Sequence, residues 1–427
     1  MRFFLFLNMK IQEIYQLYQE YYLVDTDTRN IRKNTLFFAL KGANFNGNTF
    51  AEKALELGAN YAIVDEEVYK TNKNIILVDD VLQTLQKLAK YHRNQLSIPF
   101  IGLTGSNGKT TTKELIHAVL SQKYNALATK GNFNNHIGVP LTLLSIKPEH
   151  EIAIIEMGAN HQKEIAFLSS ICEPDYGYIT NFGKAHLEGF GGVKGVIKGK
   201  SELYTYLKEN KKIAIVNPDD PIQIEKTQDI EVVYFDKENI HFSEVNPFVK
   251  LNYKDKSVQS QLIGAYNYNN IVAAITFGEI FAVNSEDIIS AIESYVPQNN
   301  RSQIIKKDNK KIILDAYNAN PSSMKVALEN FAQLNEDNQL IILGDMFELG
   351  DESAKEHQSI VDLARDLNFE NQFFVGSNFY QTSTNHLKFK SFNDLKNYLI
   401  NNPIQQKSIL IKGSRGMQLE RVLDLIN

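Results

Sequence analysis

The sequence predicts an α/β protein of three domains: a small N-terminal α/β domain, a central P-loop ATPase-type domain with a mostly parallel sheet, and a C-terminal Rossmann-like, doubly wound domain. Three observations predict it. A chain of 427 residues exceeds one hydrophobic core, and roughly 150 residues per domain gives about three. Short β-rich runs alternate with segments of helical apolar spacing, the pattern of strands joined by crossover helices. One such run passes straight into a glycine-rich turn ending in Lys109-Thr110, the local sequence of a phosphate cradle.

In the first block, residues 1–84, strands are expected at Leu36–Leu40, Tyr61–Val64 and Ile75–Val78. Phe50–Leu57 has helical spacing and stops at Gly58, a common way to end a helix. Leu82–Arg93 reads as an amphipathic connecting helix. The second block, 85–297, opens with a buried strand over 99–104, followed by a helix over Thr111–Leu120. Further strands are expected at Ile152–Glu156, Tyr176–Thr180 and Lys212–Asn217, each with polar residues at its carboxyl end. Ligands of open parallel sheets bind at that end. The polar stretch Pro297-Gln298-Asn299-Asn300 reads as a linker. The third block, 298–427, repeats the alternation, with strands at Ile312–Ala316, Leu340–Gly344, Gln372–Val375 and Ser408–Ile411 and helices at Ser322–Leu334 and Glu356–Asp366.

Composition narrows the function classes. The hydrophobic fraction of 43% and charged fraction of 22% are those of an ordinary globular protein. Forty-five basic against fifty acidic residues leave a net charge of −5, which argues against a nucleic-acid partner. Cys172 is the single cysteine; it precludes an internal disulfide, fits a reducing compartment, and reads as a small buried hydrophobe. Met1–Asn8 resembles a signal sequence, but its apolar core is too short and no cleavage site follows; Met9 is an alternative start. No run reaches the roughly 18 apolar residues of a membrane span, so a cytoplasmic protein with no membrane partner is expected.

The sharpest chemical signal is Thr104-Gly105-Ser106-Asn107-Gly108-Lys109-Thr110-Thr111. Backbone N–H groups and a helix N-terminus face an anion, Lys109 reaches the outer phosphates, and Thr110 offers its hydroxyl to Mg²⁺. The strict P-loop pattern needs glycine at position 103, where this chain has leucine, so the loop is a variant. Glu156 closes an apolar strand, which places its carboxylate at the phosphate end of the sheet, and His186 follows another strand on a loop. Singly, each also reads as a solvated loop residue; beside a P-loop, both read as metal ligands. Lys200, expected at the start of a helix, reads by itself as a surface lysine.

Together the motifs resemble the Mur ligases of peptidoglycan synthesis. The likeness rests on Thr104–Thr112, on Asn132-Phe133-Asn134-Asn135-His136-Ile137-Gly138, on Glu156-Met157-Gly158-Ala159 and on Ala185-His186-Leu187-Glu188-Gly189-Phe190. It extends to Asp27-Thr28-Arg29 and Leu36–Gly42 in the first block. In the third it includes Asp315–Ser322, Leu343-Gly344-Asp345-Met346-Phe347-Glu348-Leu349-Gly350 and Lys412–Gly416. The resemblance implies ATP-dependent joining of D-alanyl-D-alanine to a UDP-N-acetylmuramoyl-tripeptide through an acyl phosphate, by a monomer using ATP and two Mg²⁺ ions. It implies that Lys200 is carbamylated and joins Thr110, Glu156 and His186 as a metal ligand. Asn267, Asn270, Arg301 and Asp315 are implied to bind ATP, although Tyr266 stands where histidine is common. Thr28, Arg29, Lys41, Gly42, Asn46 and Gly47 would hold the UDP end, Asn134 and Asn135 the muramoyl-peptide, and Asn318, Asn320 and Ser322 the incoming dipeptide.

The rivals are a sister ligase adding another amino acid and a nucleotide-dependent switch. The sister enzyme that adds the third residue carries an Asp-Asn-Pro-Arg motif, which this chain lacks; Asn318-Ala319-Asn320-Pro321 stands instead. Glu156, His186 and Lys200 in the block of the phosphate loop argue against a pure switch.

Overall fold

Parallel sheets, each fed by crossover helices, set the architecture. The computed structural model describes residues 9–297, 300–334 and 336–426. Met1–Asn8, with its signal-like run, and Gln298 and Asn299 of the expected linker lie outside them.

The first sheet runs in the order Val24–Asp25, Leu36–Phe38, Tyr61–Val64, Ile75–Leu77, all parallel. The helix Val81–Arg93 follows, capped by Asp80, whose side chain accepts from the Gln83 backbone N–H at 2.8 Å. Its buried face packs against the opening helix Ile11–Gln19, where Ile14, Tyr15 and Tyr18 are buried.

The middle sheet has six parallel strands: Glu231–Tyr234, Ile213–Val216, Tyr176–Ile179, Phe100–Thr104, Ile152–Glu156 and Ala126–Ala128. Phe100, Ile101 and Leu103 are fully buried, each contributing about 1.5–3 kcal/mol. The chain leaves Phe100–Thr104 for Ala126–Ala128 and Ile152–Glu156 on one side, then crosses to Tyr176–Ile179 on the other. The phosphate loop therefore sits at a point where strand order reverses, the place where such sheets open a crevice.

The third sheet runs Gln303–Lys307, Lys310–Asp315, Ser408–Lys412, Gln339–Gly344, Asn371–Val375, Leu387–Phe389. Only its first pair is antiparallel, a hairpin at the sheet edge.

Three features depart from the sequence reading. The expected helix Phe50–Leu57 is a 3₁₀ turn, Gly47–Phe50, leading into Ala51–Glu56. An antiparallel sheet of Ile240–Val245, Phe248–Tyr253 and Lys256–Ile263 was not expected; it buries Val249, Leu251, Tyr253, Val258 and Leu262 on alternate positions. Lys200 ends the helix Val193–Lys200 rather than starting one, and it is fully buried. Gly199 hides that helix in the sequence: a Cβ there would strike the Phe190 ring, so close packing, and not a turn, requires the glycine.

Candidate active site

The strand Phe100–Thr104 delivers the loop, and the neighbouring strand end pins it. Ser106 N–H donates to the Asn181 carbonyl at 3.0 Å and Asn107 N–H to Asn181 Oδ1 at 3.1 Å. Thr180 Oγ1 donates to the Asn107 carbonyl at 2.6 Å. Gly105 has φ +140°, and a Cβ there would overlap the Thr180 hydroxyl, so no other residue keeps the loop this close to its neighbour. The helix Lys109–Leu120 starts directly behind the loop, aiming its free N–H groups at the cleft. Lys109 Nζ donates to the carbonyls of Gly105 at 2.7 Å and Ser106 at 3.1 Å. Burial holds its pKa below the ordinary lysine value, against the nearby Glu156 carboxylate.

Glu156 is 1% exposed. Thr110 Oγ1 donates to its Oε2 at 3.0 Å and Asn134 Nδ2 to its Oε1 at 2.9 Å. Lys113 Nζ lies 3.9 Å from the same carboxylate. Sequence reasoning missed Lys113, although a lysine three residues after Thr110 shares its helix face. Asn267 and Asn270 form a relay into the helix: Asn270 Nδ2 donates to Asn267 Oδ1 at 2.8 Å, and Thr112 Oγ1 donates to Asn270 Oδ1 at 3.0 Å.

The third block closes the cleft from the other side. Asn320 caps the helix Pro321–Gln333 and its Nδ2 donates to Asn107 Oδ1 at 2.7 Å. Ser322 Oγ accepts from the Lys184 backbone N–H at 2.8 Å. Arg301 stacks on the Tyr317 ring at 3.7 Å, and its charge reaches Lys109. Asp315 accepts from Lys412 Nζ at 2.5 Å, the two residues facing each other at adjacent strand ends.

One cleft of about 1040 Å³ is lined by Ser106–Thr111, Asn134, Asn135, Glu156 and His186 from the middle block, together with Asn267 and Asn270. Arg301, Asp315, Asn318, Asn320 and Ser322 line it from the third. Thr104 and Gly105, the first two residues of the loop, do not line the cleft. Lys200 stands one layer behind the wall: its Nζ donates to the carbonyl of Ala159, a lining residue, at 3.1 Å and sits 4.9 Å above the Phe190 ring. Burial, helped by the charge of Lys109, pushes its pKa well below the ordinary value. Cys172 is buried, and burial raises its thiol to about 12, which fits packing and not reactivity.

Thr28, Arg29, Lys41, Gly42, Asn46 and Gly47 do not line this cleft. Lys41 and Gly42 pair with Asn46 and Phe45 in a small hairpin, with Lys41 Nζ 3.0 Å from Asp65 and Asn46 Nδ2 3.2 Å from Glu66. Arg29 pairs with Asp27 at 2.6 Å on the surface. The first block thus carries two polar groups apart from the cleft, Arg29 with Asp27 and the Lys41–Asn46 hairpin with Asp65 and Glu66.

Comparison with known proteins agrees with this geometry. Residues 20–93 match the model described as Mur ligase family, catalytic domain. Residues 103–278 match the Mur ligase middle domain, and 300–414 the Mur ligase, glutamate ligase domain. The UDP-N-acetylmuramoyl-tripeptide–D-alanyl-D-alanine ligase of Bacillus subtilis is 35% identical, the match covering 94% of this chain and 93% of that one. A crystal structure of MurF from Acinetobacter baumannii superposes with a TM-score of 0.83 at 33% identity, covering 94% of this chain and 92% of that one. The MurF ligase of Thermotoga maritima in complex with ADP gives 0.82 at 25%, covering 94% and 96%. With a phosphate loop, a buried carboxylate and a third block closing over them, the chain belongs to the Mur ligase family.

Proposed function

We propose that this protein joins D-alanyl-D-alanine to UDP-N-acetylmuramoyl-tripeptide at the expense of ATP, as a cytoplasmic monomer in peptidoglycan precursor synthesis. The observation that carries the reading is the meeting of Asn320 and Ser322 with the phosphate-loop side of the cleft, through Asn107 and Lys184. It brings the block assigned to the amine against the block assigned to ATP. We assign residues 1–84 to the UDP end, 85–297 to ATP and 298–427 to the dipeptide.

A carboxylate is a poor electrophile, so amide formation needs it activated. The tripeptide carboxylate oxygen takes the terminal phosphoryl group of ATP, breaking the bond to ADP. The dipeptide amine then attacks the carbonyl carbon, and the C–O bond breaks to release phosphate. Lys109 offsets charge on the transferring group, the free N–H groups at the start of the helix Lys109–Leu120 fix the phosphates, and Asn134 and Asn135 orient the muramoyl-peptide. The third block excludes water that would hydrolyse the acyl phosphate. Asn267, Asn270, Arg301 and Asp315 hold the rest of the nucleotide, with Asn318 alongside Asn320 on the dipeptide path.

Thr110 and Glu156 present a hydroxyl and a carboxylate 3.0 Å apart beside the phosphate cradle, hard oxygen donors that fit Mg²⁺. His186 on the cleft wall and a carbamylated Lys200 just behind it would hold a second ion; burial favours the uncharged amine of Lys200, the form that adds CO₂. Mg²⁺ held by these residues would neutralise charge on the phosphoryl oxygens.

The test is ADP release from ATP with each pair of candidate substrates. Release only when UDP-N-acetylmuramoyl-tripeptide and D-alanyl-D-alanine are both present supports the reading. Indifference to the dipeptide would overturn it in favour of a sister ligase or a switch.

A further inference from the structure

The motif Gly344-Asp345-Met346-Phe347-Glu348-Leu349-Gly350 has no role in the mechanism above, yet its backbone is tied down at nearly every residue. Met346 N–H donates to the buried His357 Nε2 at 3.0 Å, and Phe347 N–H to Ser414 Oγ at 3.2 Å. Ser414 N–H donates to the Asp345 carbonyl at 3.2 Å, and Asp345 caps the backbone of Asn378 and Phe379 at 2.9 Å. This bracing presents Glu348 with φ +62°, a left-handed conformation uncommon outside glycine. Its carboxylate accepts from Nδ1 of His186, itself at φ +52°.

The contact belongs to a wider grip on the middle block. Lys184 Nζ donates to Glu356 at 2.6 Å, and the Glu188 N–H donates to the Glu348 carbonyl at 3.3 Å. Every second residue of the 184–188 loop is therefore held by the third block.

We propose that Glu348 is a positioning residue for His186, supplied by the third block, so that the His186 side of the cleft is complete only when that block is docked. This rests on the ligase reading for the purpose of the contact, not for its geometry. With Nδ1–H donated to the carboxylate, the ring keeps its lone pair on Nε2, and His186 lines the cleft. A histidine that ligates a metal commonly donates its other N–H to a carboxylate in this way, which fixes tautomer and orientation. Stability is a poor alternative purpose. The Glu348 side chain is 51% exposed, and ion pairs that open contribute little to folding.

The experiment compares wild type, Glu348→Ala and Glu348→Gln in the presence of ADP. Imidazole ¹⁵N spectra report the His186 tautomer, and Mn²⁺ titration followed by electron paramagnetic resonance reports metal affinity. Wild type is expected to hold the Nδ1–H tautomer. Glu348→Ala is expected to mix tautomers and weaken Mn²⁺ binding about 10- to 100-fold, with an unchanged melting temperature and an unchanged KM for ATP at saturating Mn²⁺. Glu348→Gln keeps an acceptor oxygen and is expected to restore most of both signals. An unchanged tautomer and Mn²⁺ affinity in Glu348→Ala would overturn the proposal, as would a loss that tracks a lowered melting temperature. Failure of the wild type to need both substrates would remove the ligase reading, while the tautomer would still report what Glu348 does to His186.

Discussion

Replacing Lys109 by methionine separates charge from shape at the centre of the site. If its ammonium meets the transferring phosphoryl group at a contact distance of about 4 Å, as proposed, the attraction at an effective dielectric near 20 is about 4 kcal/mol. Losing it from the transition state lowers turnover by about 10³-fold. The fold should hardly notice. Burial already depresses the Lys109 pKa, so an apolar side chain of similar length removes a desolvation penalty. Against that stands the loss of the bonds to the Gly105 and Ser106 carbonyls, about 1 kcal/mol each. Coupled detection of ADP with both substrates gives the rate, and thermal melting gives the stability. Turnover within tenfold of wild type, with the fold intact, would refute the placement of Lys109 against the phosphates.

Three further perturbations follow. Lys200→Ala should be nearly inactive and partly rescued by short carboxylic acids that replace a carbamate; full activity without added acid would return Lys200 to a packing role. Gly105→Ala forces a Cβ into Thr180 at a φ of +140°, and calorimetry should find ADP binding weakened at least about tenfold, with strain of about 1–3 kcal/mol lowering the melting temperature. His92 donates from Nε2 to the Ile146 carbonyl at 2.9 Å and accepts from Tyr15 at 3.1 Å, and burial holds its pKa below the ordinary 6.5. The unfolded chain therefore takes up this proton first, so stability falls as pH drops below 6.5 towards the folded value and is insensitive to His92 above it. Denaturant midpoints from pH 5 to 8 should show that slope in wild type and a flatter one in His92→Leu; equal slopes would contradict the assignment.

The sequence made the parallel cores legible because buried strands read as continuous apolar runs: Ile152–Glu156 and Tyr61–Val64 stand where expected. The sheet over Ile240–Ile263 was not legible, since one face is solvated and its apolar residues are broken up by polar and charged ones such as Glu244, Lys250 and Lys254. In the site, the phosphate loop was readable as a contiguous string and Glu156 as the end of a strand. Lys200 was not, because burial is a property of packing: only the fold puts Phe190 and Ala159 around it. Asn107 with Asn320, and His186 with Glu348, join residues 213 and 162 positions apart; no local pattern announces such pairs. Lys113 was within reach, had helix periodicity been applied to the residues behind Thr110.

Activation of a carboxylate by phosphoryl transfer is the central step of the proposed ligation. UDP-N-acetylmuramoyl-tripeptide labelled with ¹⁸O in the reacting carboxylate, turned over with ATP and D-alanyl-D-alanine, tests it through the isotope content of the released phosphate. One ¹⁸O per phosphate is predicted, since the bridging oxygen leaves with phosphorus when the amine attacks carbon. Phosphate free of label, with ligated product formed, would contradict it.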